Sequence, residues 1–277
     1  MTRRIGGHVS TAGGLINALK NTEAIGGNCL QIFAGSPRMW FRKPYTDDEV
    51  ANFKEFAKEK DFAPVFIHAL YLVNLASLNA DLFEKSINSL VMDLLNGARI
   101  GSKGVIVHIG SHLGAGFDSA KDQLVVALER ILAETSGCDL VLENDAGQNG
   151  KIGSKEELSY LINKINNPRL KICLDTAHLF ESGVDLRLKS SVDTFVSELK
   201  QLNILDKIVC LHLNDSATDF DSHHDNHADL GKSKIGLEGL SFMVSHPDFS
   251  HLPLILETPG ETKQGPDAVN ITIAKSL

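Results

Sequence analysis

Short β-like runs, mostly apolar, recur along this chain at roughly even intervals: 5–10, 28–33, 64–69, 104–110, 139–146, 170–178, 207–215 and 252–260. Between them lie helical patterns such as DDEVANFKEFAKEK, LFEKSINSLVMDLLNGARIG, AKDQLVVALERILAETSG and SVDTFVSELKQLN, often with Gly just past the helical end. Several of the runs are nearly continuous in apolar residues, as parallel strands buried on both faces require. Eight strands alternating with helices over 277 residues predict an α/β chain folded as one (β/α)₈ TIM barrel. No Pro/Gly/Ser linker, low-complexity tract or charge block divides it, so residues 1–277 read as a single barrel domain. A doubly wound sheet is the alternative fold, but HVSTAGG is a weak candidate for the glycine-rich phosphate turn it would want after its first strand.

In a barrel the C-terminal ends of all strands meet on one face. Here the runs end in a common chemistry. Strand 1 ends at His8, strand 3 at His68, strand 4 at His108 and strand 5 at Glu143. Strand 6 ends at Asp175 with His178 just beyond, strand 7 at His212, and strand 8 at Glu257. The long segment after strand 7 adds the pair Asp225-x-His227. Any one of these taken alone reads as a satisfied polar group at a strand end. Seven runs of eight ending this way read as a site. Imidazole and carboxylate without cysteine suit Zn²⁺ or Mn²⁺. The nine groups between His68 and Glu257 exceed what one ion takes, so bridging carboxylates would hold two or three metals, the arrangement used in phosphoryl chemistry.

The formal charge of −8 argues mildly against nucleic acid until those ions are counted. Three divalent ions would add about +6 on one face and leave a locally positive cleft. The loop after strand 2, AGSPRMWFRKPY, interleaves Arg38, Arg42 and Lys43 with Trp40, Phe41 and Tyr45. That mixture suits backbone contact with stacking on a base, or equally an amphipathic loop packed on the barrel rim. Tyr71 and Leu72, just past His68, read as a wedge into a duplex or as core. Cys29, Cys173 and Cys210 sit in apolar runs, and no C-x-x-C occurs, so the cysteines read as buried hydrophobes in a reducing compartment. The N-terminus has no apolar stretch after its arginines, and no apolar run approaches membrane-spanning length, so the reading is cytoplasmic.

Across almost its whole length the chain resembles the endonuclease IV family of apurinic/apyrimidinic (AP) endonucleases. The stretches that carry the likeness are GGHVSTAGG, HALYLVNLA, VHIGSHLGAG, LENDAGQ, CLDTAHLFESG, LHLNDS, DNHADLG and LILETPG, in the family's order. The resemblance implies three metal ions, usually zinc, and action on duplex DNA with abasic sites or blocked 3′ ends; no partner-binding motif is visible in the sequence, so a monomer is the default reading. One ion would be held by His68, His108 and Glu143. A second would share Glu143 with Asp175, His212 and Glu257. The third would take His178, Asp225 and His227. It also implies that Arg38, Tyr71 and Leu72 enter the minor groove, that His8 belongs to the site, and that Glu143 orients or deprotonates the attacking water. This chain departs from the family in having Asn226 in place of the usual Arg, and Gly231-Lys232-Ser233 in place of Gly-Glu-Gly. Those changes bear on the DNA contact and rigidity around the third metal and predict weaker or more salt-sensitive binding at this loop. Two rival readings are a two-metal sugar isomerase or epimerase on the same barrel, and a lesion-binding protein that keeps its metals only for structure.

Overall fold

The computed structural model describes residues 3–41 and 43–277, so the expected role of Arg42 in the basic loop lies outside the described residues. Eight parallel strands close into a barrel: β1 (Ile5–His8), β2 (Cys29–Phe33), β3 (Val65–His68), β4 (Gly104–Val107), β5 (Asp139–Glu143), β6 (Leu170–Asp175), β7 (Ile208–His212) and β10 (Leu254–Leu256). Closure comes from pairing of β1 with β10, where Gly6 lies opposite Ile255. The closed ring excludes the doubly wound alternative.

Helices α1 (Ile16–Ala24), α2 (Asp47–Glu59), α3 (Ala80–Ile100), α4 (Lys121–Glu134), α5 (Lys155–Ile165), α6 (Thr176–Glu181), α7 (Lys189–Gln201), α8 (Gly236–Val244) and α9 (Ala268–Ser276) follow the strands. Their ends are set by local chemistry. Thr46 and Ser154 form capping boxes with Glu49 and Glu157, satisfying backbone N–H groups that α2 and α5 cannot satisfy internally. Gly101 stops α3 in the left-handed conformation (φ 75°), where a side chain would be strained. Among the described residues no helix is long and apolar enough to cross a membrane.

The strands are shorter than the sequence runs suggest. β4 ends at Val107 and β10 at Leu256, so His108 and Glu257 stand one residue past their strands. The run 207–215 divides into β7 and a two-residue strand, β8 (Asp215–Ser216), which pairs antiparallel with β9 (His227–Ala228). Apolar character continues past each strand because the loop roots are buried too, and apolarity alone does not mark where the chain leaves the ladder.

The core has two parts. The larger lies between the strands and the helices. The smaller fills the barrel and comprises Cys29, Phe66, Ile106, Val141, Cys173, Cys210 and Ile255. All four cysteines are free and buried, Cys29, Cys173 and Cys210 as the sequence implied and Cys138 with them. Each residue of the inner plug stands two positions before a polar group: Cys29 before Gln31, Phe66 before His68, Ile106 before His108, Val141 before Glu143, Cys173 before Asp175, Cys210 before His212, and Ile255 before Glu257. Alternation along a strand returns to the same face every second residue. The apolar floor and the polar tier above it therefore come from one pattern repeated strand by strand. On β1 the pair is Gly6 and His8. A Cβ on Gly6 would come within 1.7 Å of Cys29 O, so no side chain fits there beside β2.

Candidate metal centre

The polar tier is where the predicted residues meet. Glu143 lies at its middle, wholly buried: Oε2 is 3.2 Å from His68 Nε2 and 3.6 Å from His108 Nε2, and Oε1 is 2.8 Å from His212 Nδ1. His212 Nδ1 also lies 3.4 Å from Glu257 Oε2 and 3.8 Å from Asp175 Oδ2. On the far side, Asp225 Oδ1 is 3.3 Å from His178 Nε2 and 3.7 Å from His227 Nε2. His227 Nε2 lies 3.4 Å from Asp175 Oδ2, so Asp175 reaches toward both groups.

Three of the imidazoles have their other nitrogen hydrogen-bonded, and a fourth has it at ion-pair distance from a carboxylate. His68 Nδ1–H donates to Ala69 O at 2.7 Å, His178 Nδ1–H to Asn144 O at 3.0 Å, and His212 Nε2–H to Gln31 Oε1 at 2.8 Å. His108 Nδ1 lies 3.0 Å from Asp145 Oδ2. Such partners fix ring orientation and leave the other nitrogen free to ligate. Gln31 also donates through Nε2 to Glu257 Oε1 at 2.5 Å and lies 3.0 Å from His8 Nδ1. His8 stands at the rim, 3.1 Å from Glu257 Oε1 and packed on Phe33.

Asp175 and His178 owe their placement to a strand that turns directly into a helix. Asp175 is the last residue of β6 and the N-cap of α6, its Oδ1 accepting from Ala177 N–H and His178 N–H. Its Oδ2 accepts from Asn214 Nδ2 at 2.7 Å and faces His227. One oxygen thus serves the fold while the other faces the site.

These residues fit a set of cations. Two donors bound to a tetrahedral zinc at about 2.0–2.1 Å stand about 3.4 Å apart, close to most of the imidazole–carboxylate separations above. His68, His108 and Glu143 bring ligand atoms within 4.8 Å of one another, as do Glu143, Asp175, His212 and Glu257. The expected third trio divides. His178 groups with Asp175 and His227, and separately with Asp225 and Glu181. Nε2 of both His178 and His227 is buried without a hydrogen-bond partner. Cys173 also falls within reach of Glu143 and His212, but burial raises its thiol well above the ordinary range and leaves it a poor ligand.

The electrostatics follow from the packing. Burial alone would raise the Glu143 carboxyl, yet His212, His108 and His68 hold it well below the usual carboxylate range. Burial likewise opposes charge on His212, but Glu257 and Glu143 carry it up to about 10. Asp225 is held low by His178, His227 and His108 against the effect of burial. Against the effect of burial, the carboxylates around His108, His178 and His212 raise all three imidazoles, and their protons balance charge that cations would otherwise neutralise.

The loops above the tier sort themselves. Tyr71 and Leu72 are exposed, at 64% and 39%, with the Tyr71 ring 5.3 Å from Phe33 and 6.3 Å from His68. Of the aromatics after β2, Trp40 and Tyr45 pack on the core while Phe41 stands 74% exposed. Arg38 is on the same loop, joined to the next by Tyr71 N–H donating to Pro37 O. A cleft of about 540 Å³ opens over the tier, walled by Phe33, Tyr71, Asn226, Pro259, Gln264 and Pro266.

Sequence reasoning missed the supporting groups: Gln31, Asp145, Asn214 and Asp215. Asp215 is wholly buried, and its carboxylate accepts from the backbone N–H groups of Ser216, Gly231, Ser233, Ile235 and Gly236. That grip spans the segment holding Lys232 and Ser233, so the departure there does not leave the loop without support.

A closed (β/α)₈ barrel with an acid–imidazole tier at the C-terminal ends of its strands defines a TIM barrel of the xylose isomerase-like class with a candidate metal centre, and the model of that family matches residues 19–274. A probable endonuclease 4 of Haloarcula marismortui is 36% identical over 274 residues, covering 99% of this chain and 98% of that protein. A probable endonuclease 4 of Halothermothrix orenii is 38% identical over 259 residues, covering 92% and 93%. The crystal structure of endonuclease IV from Thermus thermophilus superposes with a TM-score of 0.85 at 34% identity, covering 99% of this chain and 98% of that one. The chain belongs to the endonuclease IV family.

Proposed function

We propose that this protein is a DNA-repair AP endonuclease that hydrolyses the phosphodiester 5′ to an abasic site in duplex DNA. It leaves a 3′-hydroxyl and a 5′-deoxyribose phosphate, and it also removes groups blocking 3′ ends. The observation that carries this reading is the tier itself, in which His68, His108, Glu143, Asp175, His178, His212, Asp225, His227 and Glu257 converge beneath an open cleft. In this reading they hold three Zn²⁺ ions, with Mn²⁺ acceptable at one or more sites, in the three sets that the family resemblance implies. When bound, the ions supply an activated water at neutral pH and neutralise the phosphate and the leaving oxygen.

The chain's own residues do the rest. Glu143 is the buried carboxylate nearest the centre, with His68, His108 and His212 around it, and is suited to orienting the attacking water. Gln31 and Asp145 keep His212 and His108 from rotating. Tyr71 and Leu72 offer apolar surface beside the cleft, and Arg38 a cation for the backbone, which suits a duplex opened at its weakest point. His8 lines the cleft and faces the same DNA. An abasic nucleotide is the cheapest to extrude because nothing there must be unpaired. Residues 1–277 would work as one catalytic domain, a monomer in the cytoplasm.

The test is a duplex carrying one tetrahydrofuran abasic analogue, which resists β-elimination. A nick 5′ to the analogue leaving a 3′-hydroxyl, abolished by prolonged chelation and restored by zinc, is the expected result. Folded, zinc- and manganese-replete protein that leaves the duplex intact would refute the reading.

A further inference from the structure

The division of the third trio brings in a residue outside the nine-group set. Glu181 ends α6, and Asp175, His178 and Glu181 stand three residues apart, a spacing that aligns side chains along one side of a helix. Glu181 is wholly buried, which is costly for a carboxylate without a partner for each oxygen. Its Oε1 is crowded with donors: Ser216 Oγ–H at 2.7 Å, Thr218 Oγ1–H at 3.0 Å and Asn226 N–H at 3.3 Å. Its Oε2 is buried with no hydrogen-bond partner at all. Glu181, His178 and Asp225 bring ligand atoms within 4.8 Å of one another, and His178 Nε2, 3.3 Å from Asp225 Oδ1, is itself buried without a hydrogen bond. Buried polar atoms are nearly always hydrogen-bonded, so two buried atoms in one cluster without a hydrogen bond mark a place for a charged ligand.

We propose that Glu181 is a further carboxylate of the metal centre that sets affinity for the cation at His178, Asp225 and His227. Oε1 fastens the segment carrying Asp225 and His227 through the N–H of the intervening Asn226, and the carboxylate charge balances the cation. The proposal rests on the three-ion reading of the site.

Two variants separate charge from scaffolding. Glu181→Gln keeps an oxygen able to accept from Ser216, Thr218 and Asn226 but removes the charge, whereas Glu181→Ala removes both. Zinc stoichiometry and affinity would be read by equilibrium dialysis against buffered zinc, with the cobalt-substituted protein's visible spectrum as a second readout. Wild type is expected to hold three ions, and Glu181→Gln to hold two as before and the third about tenfold or more weaker, with its melting temperature kept. Wild type saturating at two ions would overturn the three-ion reading and this inference with it. Three ions in wild type and three of unchanged affinity in Glu181→Gln would overturn the role of Glu181 alone. So would weakening confined to Glu181→Ala, because that marks an anchor and nothing more.

Discussion

Replacing Gln31 by leucine tests whether the polar tier depends on a residue that is not itself a metal ligand. The side chains are nearly equal in volume, so no cavity opens. What is lost is polar. His212 Nε2–H, wholly buried, loses its acceptor, and a buried donor left unsatisfied costs ~1–3 kcal/mol. The charge-assisted bond from Gln31 Nε2 to Glu257 goes as well, worth a further ~1.5–3 kcal/mol. Added apolar burial by leucine offsets about 1 kcal/mol. The metal-free variant should therefore unfold with about 2–5 kcal/mol less stability, read from urea transitions of both proteins with chelator present. With His212 free to turn, zinc affinity at the set including Glu143, Asp175 and Glu257 should fall about 10–100-fold in chelator competition. A stability loss under about 1 kcal/mol together with zinc affinity within twofold of wild type would refute the argument that Gln31 positions the imidazole.

Three further outcomes are expected. Asp145→Ala should leave the far-ultraviolet circular dichroism unchanged but weaken zinc binding about 10–100-fold, since His108 Nδ1 loses the carboxylate 3.0 Å away; unchanged binding would show that His108 is held by packing. Zinc loading should release protons at about pH 7.5, because His212, raised to about 10 in the metal-free protein, must lose its proton to ligate. The sign is checked by stability without metal: that imidazolium contributes fully below about pH 6.5 and its contribution fades as pH rises toward 10, so metal-free protein should weaken over that window, and a flat profile would count against it. Asn226→Arg should tighten DNA binding and, as an added phosphate contact, steepen its logarithmic salt dependence by about one unit. Of the two effects expected of Asn226 it is therefore the weaker binding and not a greater salt sensitivity that holds; an unchanged affinity and slope would mean that residue 226 does not meet the backbone.

The barrel and most of the tier were legible because both follow one periodicity. His68, Glu143, Asp175 and His212 are strand-end residues on predicted strands, and parallel closure leaves them one place to go. Gln31 holds the equivalent position on β2 but carries no signal in the sequence, because an amide is not a metal-ligand type. Asp215 looks no different from Asp225 in a segment rich in acids. Only tertiary structure shows that one carboxylate is consumed by backbone N–H groups while the other faces two imidazoles. Glu181 is visible in DTAHLFE as the third member of a three-residue spacing, but a six-residue helix gives little periodicity to read. The aromatics after β2 were ambiguous because rim packing and base stacking ask for the same residues, and here Trp40 and Tyr45 pack while Phe41 does not.

The two-residue offset between floor and tier makes the centre a proofreader of strand register. Moving any one strand by a single residue would turn its terminal imidazole or carboxylate outward into the helix layer and bring an outward-facing residue into the ring. A mispaired barrel could bury nearly as much apolar surface, since its outward residues are apolar too, and would look well collapsed. It could not assemble the tier: Glu143 meets His68 across seventy-five positions of chain and Gln31 meets Glu257 across two hundred and twenty-six. Only the correctly threaded ring offers a cation all its partners at once, so cation binding would select that ring from compact competitors that hydrophobic burial alone separates poorly.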